Sequence, residues 1–396
     1  MSKPGTTNKK PTVAGLFAGI GGLELGLQSA GFEAELLCEW WEPAQAVLQQ
    51  QFPDVPLHDD IRTLKQKFGR LPDVDVVTAG FPCTDLSQAG RTAGIHGKAS
   101  GLVKHMFDLL EETTPGWVVV ENVRNMLVLD GGRAMEYLVS EFERLNYRWA
   151  YRTVDSRFTG IPQRRQRVIF VASQEADPRE VLFADDAGKP LEDHYRDDAF
   201  GFYWTEGNTG LGWAQDAVPT LKGGSGLGIP SSPAIWIRNS PPGRAIVTPR
   251  ITDAEQLQGF PRGWTSSVEK SARPGVRWKL VGNAVTVGVS SWLGKRLIAP
   301  GEFEVPQILL MKGMRWPTAA CGDETGRWEV PISLWPERRP YKHILEVVEH
   351  DELAPLSLRA TAGFYSRLVK SKLRYREDFA LSLKQHIDWW ENGQTE

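Results

Sequence analysis

The sequence predicts an α/β protein: an open parallel β-sheet covered by helices on both faces, a small irregular or β-rich module, and a C-terminal segment containing helices. Three observations carry this. The apolar runs Val13–Phe17, Val74–Ala79 and Trp117–Val120 read as short buried strands, bounded by turn residues. Stretches with helical spacing alternate with them, the pattern of a parallel sheet with both faces covered. Beyond residue 173 the composition changes: 174–200 is acidic, and 201–245 is rich in Gly, Pro and Ser, with Trp204, Trp213 and Trp236 interspersed and no helical period.

Bulk properties exclude several classes. The 396 residues allow a full α/β core and at least one smaller module. A net charge of -3 argues against a globally basic nucleic-acid coat, so any such surface must be local. The three cysteines, Cys38, Cys83 and Cys321, show no CxxC or Cys/His clustering, which supports neither a disulfide framework nor a metal site and fits a reducing cytoplasm. Met1–Pro11 lacks an apolar h-region, and no apolar run has the length to cross a bilayer, so neither secretion nor membrane insertion is expected.

Taken in order, the first strand leads into Ala18-Gly19-Ile20-Gly21-Gly22 and a helix ending near Gly31. Glycines at such a turn let a ligand approach the backbone at a helix N-terminus, and an acid about twenty residues on suits a ribose. Glu39 stands there. Glu24 occupies the place of the third glycine of a dinucleotide fingerprint, which disfavours a nicotinamide cofactor but not another nucleoside-bearing one. A helix is predicted over Pro43–Gln51, then Asp60-Ile61 after a short segment, the second strand, and Cys83 on the turn Gly80-Phe81-Pro82. A cysteine in that place is either a nucleophile or a buried structural thiol. A helix over 100–112 precedes the strand Trp117–Val120, which ends in Glu121-Asn122-Val123. In a parallel sheet Gly19, Glu39, Asp60, Cys83 and Glu121 fall just past successive strand ends and line one edge. Two more strands, Tyr147–Val154 and Arg167–Ala172, flank an arginine-bearing Gly/Pro loop suited to phosphate or base contacts.

With these residues assembled, Val13 to Leu297 resembles the cytosine-C5 DNA methyltransferases of bacterial restriction-modification systems. The blocks stand in the family's order: Phe17-Ala18-Gly19-Ile20-Gly21-Gly22, Glu39-Trp40, Asp60-Ile61, Pro82-Cys83, Glu121-Asn122-Val123, Gln163-Arg164-Arg165-Gln166-Arg167, Leu257-Gln258-Gly259-Phe260-Pro261 and Gly282-Asn283-Ala284-Val285. Two positions depart from the pattern: Thr84 where glutamine is usual, and Gly15 where aspartate often stands.

The resemblance implies a class I S-adenosylmethionine-dependent methyltransferase with a Rossmann-like sheet. The catalytic, cofactor-binding domain would span 1–173 and be completed by 249–300, with 174–248 as target-recognition domain and 301–396 as a C-terminal extension. It places Phe17 against the adenine, Gly19, Gly21 and Gly22 beneath the methionine part, and Glu39 on the ribose hydroxyls. Trp40, Asp60 and Ile61 would surround the adenine, with Leu102, Asn283 and Val285 at the methionine end. Cys83 would add to C6 of a flipped-out cytosine, Glu121 would hold a proton at N3, and Arg165 and Arg167 would bond to O2 and orient the loop. The methyl group then passes to C5, leaving S-adenosylhomocysteine and requiring no metal. DNA contacts are expected from Ser87, Gln88 and Arg91 on the loop after Cys83, and from Gln163, Thr220, Lys222 and Arg238.

Expected partners are double-stranded DNA and, without a stable complex, a restriction endonuclease acting on the same site. A monomer is expected, in a bacterial cytoplasm and associated with the nucleoid through DNA. Two other readings stand beside this one: an RNA cytosine-C5 methyltransferase, disfavoured by the missing Cys-Phe-Thr signature, and a silent DNA-binding relic, disfavoured by the intact Cys83, Glu121, Arg165 and Arg167.

Overall fold

The computed structural model describes residues 9–82, 101–223, 232–304, 306–311, 313–349 and 352–393. The chain divides into two compact units, one of Met1–Val154, Arg167–Asp186 and Val285–Pro336, the other of Asp155–Gln166, Ala187–Ala284 and Glu337–Glu396.

The first unit is built on a ten-stranded sheet. Its parallel half comprises β1 (Thr12–Leu16), β2 (Glu33–Cys38), β3 (Leu57–His58), β4 (Val76–Ala79) and β5 (Trp117–Val123), in the spatial order β3-β2-β1-β4-β5. β1 and β4 are buried along their whole length, as strands covered on both faces must be. Between these strands run α1 (Gly22–Ser29), α2 (Glu42–Gln51) and α3 (Ile61–Phe68). The last shows how local chemistry sets a boundary: the Asp60 carboxylate accepts the Arg62 N–H at 2.9 Å and caps the helix, while Ile61 and Leu64 turn inward. The helix Arg133–Arg144 buries Ala134, Met135, Leu138, Val139 and Phe142, one face of a 3.6-residue period. Phe142 stacks on Phe170 at 5.0 Å and meets Phe107 edge-on at 5.1 Å; a buried phenylalanine contributes about 2 kcal/mol by area.

The sheet is mixed, not wholly parallel as expected. The strand Gln166–Ser173 pairs antiparallel with β5, and β6 (Arg148–Asp155) lies next to it. Beyond β6 come Ala319–Asp323, Gly326–Glu329 and Ile308–Leu309, all antiparallel to their neighbours. Part of the region read as a C-terminal extension therefore completes this sheet.

The second unit holds a five-stranded antiparallel sheet in the order Ala214–Gln215, Ala199–Phe202, Ala234–Ile237, Ile246–Thr248, Ala354–Pro355. The helices Leu358–Lys370 and Glu377–Glu391 cover it, with Phe364, Leu368, Phe379 and Leu383 in one core with Phe200, Phe202, Trp236 and Ile246. Contacts place the division between the units at Ala284, beyond the 248 that the resemblance implies, because Ile251–Leu257 and Pro274–Asn283 are tied to the 155–166 loop of this unit. Among the described residues no helix is long and apolar enough to cross a membrane.

Candidate active site

In the first unit, the turn after β1 carries Phe17 and Gly19 at φ 56° and 59°, conformations that side-chain-bearing residues adopt at a cost of about 1–3 kcal/mol. Phe17 is braced edge-on by Phe81 at 5.9 Å. A Cβ placed on Gly19 would find no atom within 4 Å, so the backbone there faces open space a ligand can approach. Glu39, just past β2, accepts the Gly19 N–H at 2.8 Å on one carboxylate oxygen and the Trp41 N–H at 2.8 Å on the other. Burial holds its pKa above the usual carboxylate value although the Trp41, Gly19 and Trp40 N–H groups act to lower it, and the carboxylate keeps acceptor capacity for a hydroxyl donor.

Beside this turn lies a pocket of about 240 Å³ lined by Phe17, Cys38, Trp40, Asp60, Ile61, Arg62 and Leu102. Trp40 is 67% exposed, with the Arg62 guanidinium 4.8 Å from its ring centre, which leaves an aromatic surface at the pocket rim. Five cofactor residues expected from sequence, Phe17, Trp40, Asp60, Ile61 and Leu102, thus share one cavity, and Gly19 hydrogen-bonds to Glu39. Gly21 and Gly22 start α1. An apolar slot beside a fixed carboxylate and an open glycine turn fits a nucleoside-bearing cofactor. Asn283 and Val285 fall in different units, Asn283 in the second and Val285 in the first.

The catalytic edge is built from three strand ends. Glu121 lies within β5, not past it, because the antiparallel ladder with Gln166–Ser173 continues through Glu121↔Ile169 after the β4 pairing stops at Val120. Its carboxylate sits 2.9 Å from Nε of Arg167, both side chains about nine-tenths buried. The neighbouring Asn122 donates from Nδ2 to the Phe81 carbonyl at 3.1 Å, fixing the turn two residues before Cys83. The only signal in the sequence for this role of Asn122 is its place beside Glu121. Cys83 itself, with Thr84, Ser87, Gln88 and Arg91, lies outside the described residues. The other two thiols are unsuited to nucleophilic work: Cys38 and Cys321 are buried, and desolvation pushes both up to about 12.

The glycine at residue 15 has a physical reason. A Cβ there would lie 2.3 Å from a carboxylate oxygen of Glu24, and the paired residue Thr78 donates its hydroxyl to that same oxygen at 3.1 Å. A carboxylate reaching down from α1 fills the space that a side chain on β1 would take. Desolvation raises its pKa to about 7, with the Glu39 charge adding to the shift. The folded state therefore keeps a proton that the unfolded chain has lost, and stability falls as pH rises from about 4.5 to about 7, by roughly 3 kcal/mol at most. Glu24→Gln is expected to lose this slope. Denaturant midpoints at pH 5.5 and 8 should separate more in the wild type than in the variant.

In the second unit Arg165 is buried, donating to the carbonyls of Leu221 at 3.3 Å, Gly282 at 3.2 Å and Ala284 at 2.6 Å. Gln163, expected to contact DNA, is fully buried instead: its amide donates to Leu257 O at 2.7 Å and to Gln258 Oε1 at 2.5 Å, and its carbonyl accepts the Leu221 N–H at 3.1 Å. Gln258 in turn donates to the carbonyls of Val281 at 3.1 Å and Ala284 at 2.8 Å. The blocks 163–165, 257–258 and 281–284 thus form one hydrogen-bonded knot. Arg238 pairs with Asp197 and Asp378, which spends the guanidinium expected at a base edge. Thr220 donates to the Arg164 carbonyl at 2.9 Å, and Lys222 pairs with Glu206, 44% exposed.

A glycine turn after β1, an acid after β2 and a β3-β2-β1-β4-β5 parallel half-sheet with an antiparallel strand beside β5 define the class I S-adenosylmethionine-dependent methyltransferase fold. The crystal structure of S. pombe Dnmt2 methyltransferase is similar, with a TM-score of 0.56 and 16% identity, covering 73% of this chain and 98% of that one. The family model of the C-5 cytosine-specific DNA methylases matches residues 12–199. Type II methyltransferase M2.BsuMI of Bacillus subtilis (strain 168) is 44% identical over 395 residues, 95% of this chain and 98% of its own length. Type II methyltransferase M.Bsp6I of Bacillus sp. (strain RFL6) is 28% identical over 309 residues, 70% and 95% of the two chains. The chain belongs to the C-5 cytosine-specific DNA methylase family. The part left uncovered by M2.BsuMI is far shorter than residues 301–396, so that relative shares most of the C-terminal region.

Proposed function

We propose that the protein is a sequence-specific DNA (cytosine-5-)-methyltransferase, the modification enzyme of a type II restriction system. The observation that carries this reading is the buried pair of Arg167 with Glu121, which stands on the strand whose Asn122 holds the turn leading to Cys83. In this reading Cys83 adds to C6 of a cytosine flipped out of the duplex, forming a C6–S bond and driving negative charge onto N3 and O2. Glu121 holds a proton at N3, and Arg167 keeps its carboxylate in place and bonds to O2, the role that the family resemblance implies for it. Arg165 acts at a distance, as the residue that fixes its loop against the 281–284 segment. Phe17, Glu39, Trp40, Asp60, Ile61 and Leu102 hold S-adenosylmethionine, which when bound supplies the methyl group for C5. Loss of the C5 proton then breaks the C6–S bond and releases the thiolate.

The second unit is the target reader, with Thr220 and Lys222 as the base- or phosphate-facing groups. The restriction context rests on the similarity to M2.BsuMI and M.Bsp6I, both type II methyltransferases. Double-stranded DNA is the substrate, and an endonuclease sharing the site acts separately. Expression in a host lacking the modification, followed by bisulfite sequencing, is expected to reveal one short sequence context protected throughout the genome. Uniform conversion of all cytosines would overturn the reading.

A further inference from the structure

The C-terminal helices of the second unit do more than cover a sheet. From the helix Leu358–Lys370, Arg367 donates through Nε to the Glu206 carbonyl and through Nη2 to the Trp204 carbonyl, both at 2.8 Å. It grips the turn that carries them, and a Cβ on the following Gly207 would already stand 3.4 Å from the Arg367 side chain. That turn is attached to the expected DNA-facing residues at several points. The Glu206 carboxylate pairs with Lys222, whose ammonium also lies 3.7 Å from the centre of the Tyr203 ring. The Tyr203 hydroxyl donates to the Thr220 carbonyl at 2.6 Å, and the Trp204 indole donates to the Ser232 carbonyl at 2.9 Å. One arginine from the C-terminal region therefore holds a turn that fixes Thr220, Lys222 and Ser232 together. A bidentate guanidinium suits this task because its fork fixes two carbonyls in one plane.

We propose that Arg367 is a specificity-determining positioning residue, which through the 203–206 turn sets Thr220 and Lys222 for target readout. The proposal rests on the reading of the second unit as target reader, and it gives the region after 337 a role in choosing the sequence. Arg367 spends two of its donor nitrogens on protein carbonyls, so its effect is indirect. Losing it should loosen the reader without removing a phosphate contact.

The test uses the full-length chain, with the target mapped first by bisulfite sequencing of wild-type-modified DNA. Methyl transfer is then measured on the cognate duplex and on duplexes with one base pair changed, for the wild type, Arg367→Ala, Arg367→Lys and Glu206→Ala. Arg367→Ala is expected to raise KM for the cognate duplex and to lower the cognate-to-mismatch ratio of kcat/KM by about tenfold, the scale of one base-pair readout. Its affinity for S-adenosylhomocysteine and its salt slope should be unchanged, and Arg367→Lys should recover part of the ratio. Glu206→Ala keeps the carbonyl that Arg367 grips but removes the acceptor for Lys222, and should also lose discrimination; it decides the matter if Arg367→Ala fails to fold. Undiminished discrimination in Glu206→Ala, or in Arg367→Ala with S-adenosylhomocysteine binding intact, overturns the proposal. So does a salt slope lowered by about one with discrimination kept, which would make Arg367 a phosphate contact. A wild type that methylates no duplex overturns the functional reading, and this inference with it.

Discussion

Cys83→Ala is expected to abolish methyl transfer to duplex DNA, by roughly 10^4-fold or more, while leaving duplex binding within a few-fold of wild type. Cytosine C5 is a poor nucleophile until a group adds at C6, and no neighbouring side chain replaces a thiolate in that addition. The chain offers no substitute thiol: Cys38 and Cys321 are buried and pushed up to about 12, so neither ionises near neutrality. Labelled methyl incorporation measures the loss, and binding to an unmodified duplex confirms that the variant still engages its substrate.

Glu121→Ala should cost almost as much, through two separable effects. Removing the carboxylate takes away the group assigned to N3, a general acid–base contribution of about 10^2- to 10^4-fold. It also removes a 2.9 Å carboxylate partner from the buried Arg167, a loss of up to about 3–5 kcal/mol for a buried pair. Glu121→Gln keeps the shape and leaves a neutral acceptor for Arg167, so it should be less destabilising yet nearly as slow. Melting curves and labelled methyl transfer on both variants separate the terms. Equal melting points with near-wild-type rates would remove Glu121 from the chemistry.

Much of the first unit was legible in the sequence because its signals are local. The glycine turn at 19–22, Glu39 and Asp60 each follow an apolar run within a few residues, and parallel-sheet topology then collects them at one edge. The antiparallel half was not, since Ala319–Asp323 pairs with β6 across a long sequence separation and Ile308–Leu309 is too short to show a period. For the same reason the region after 300 looked like an appendage. Side-chain bookkeeping was hidden too. Gln163 and Arg238 stand in loops that read as exposed, and only the folded chain shows their amide and guanidinium already bonded to Leu257, Gln258, Asp197 and Asp378. The Gly15–Glu24 exchange is of this kind, two residues that look unusual separately and compensate in space.

The two units divide the labour in this account. One holds the cofactor pocket, the Glu121–Arg167 pair and the strand leading to Cys83; the other carries the hydrogen-bonded knot around Arg165 and the Thr220–Lys222 segment. The chemistry of the first is the central claim, and it predicts a covalent enzyme–DNA intermediate. A target duplex with 5-fluorocytosine in place of the methylated cytosine tests it most directly, because fluorine at C5 cannot leave as the proton does and the C6–S bond stays closed. Incubated with S-adenosylmethionine, the protein should form a denaturation-resistant complex with that duplex, and peptide mass mapping should place the link at Cys83. No complex with a duplex that the protein methylates in its unfluorinated form, or a link at any other residue, would contradict the account.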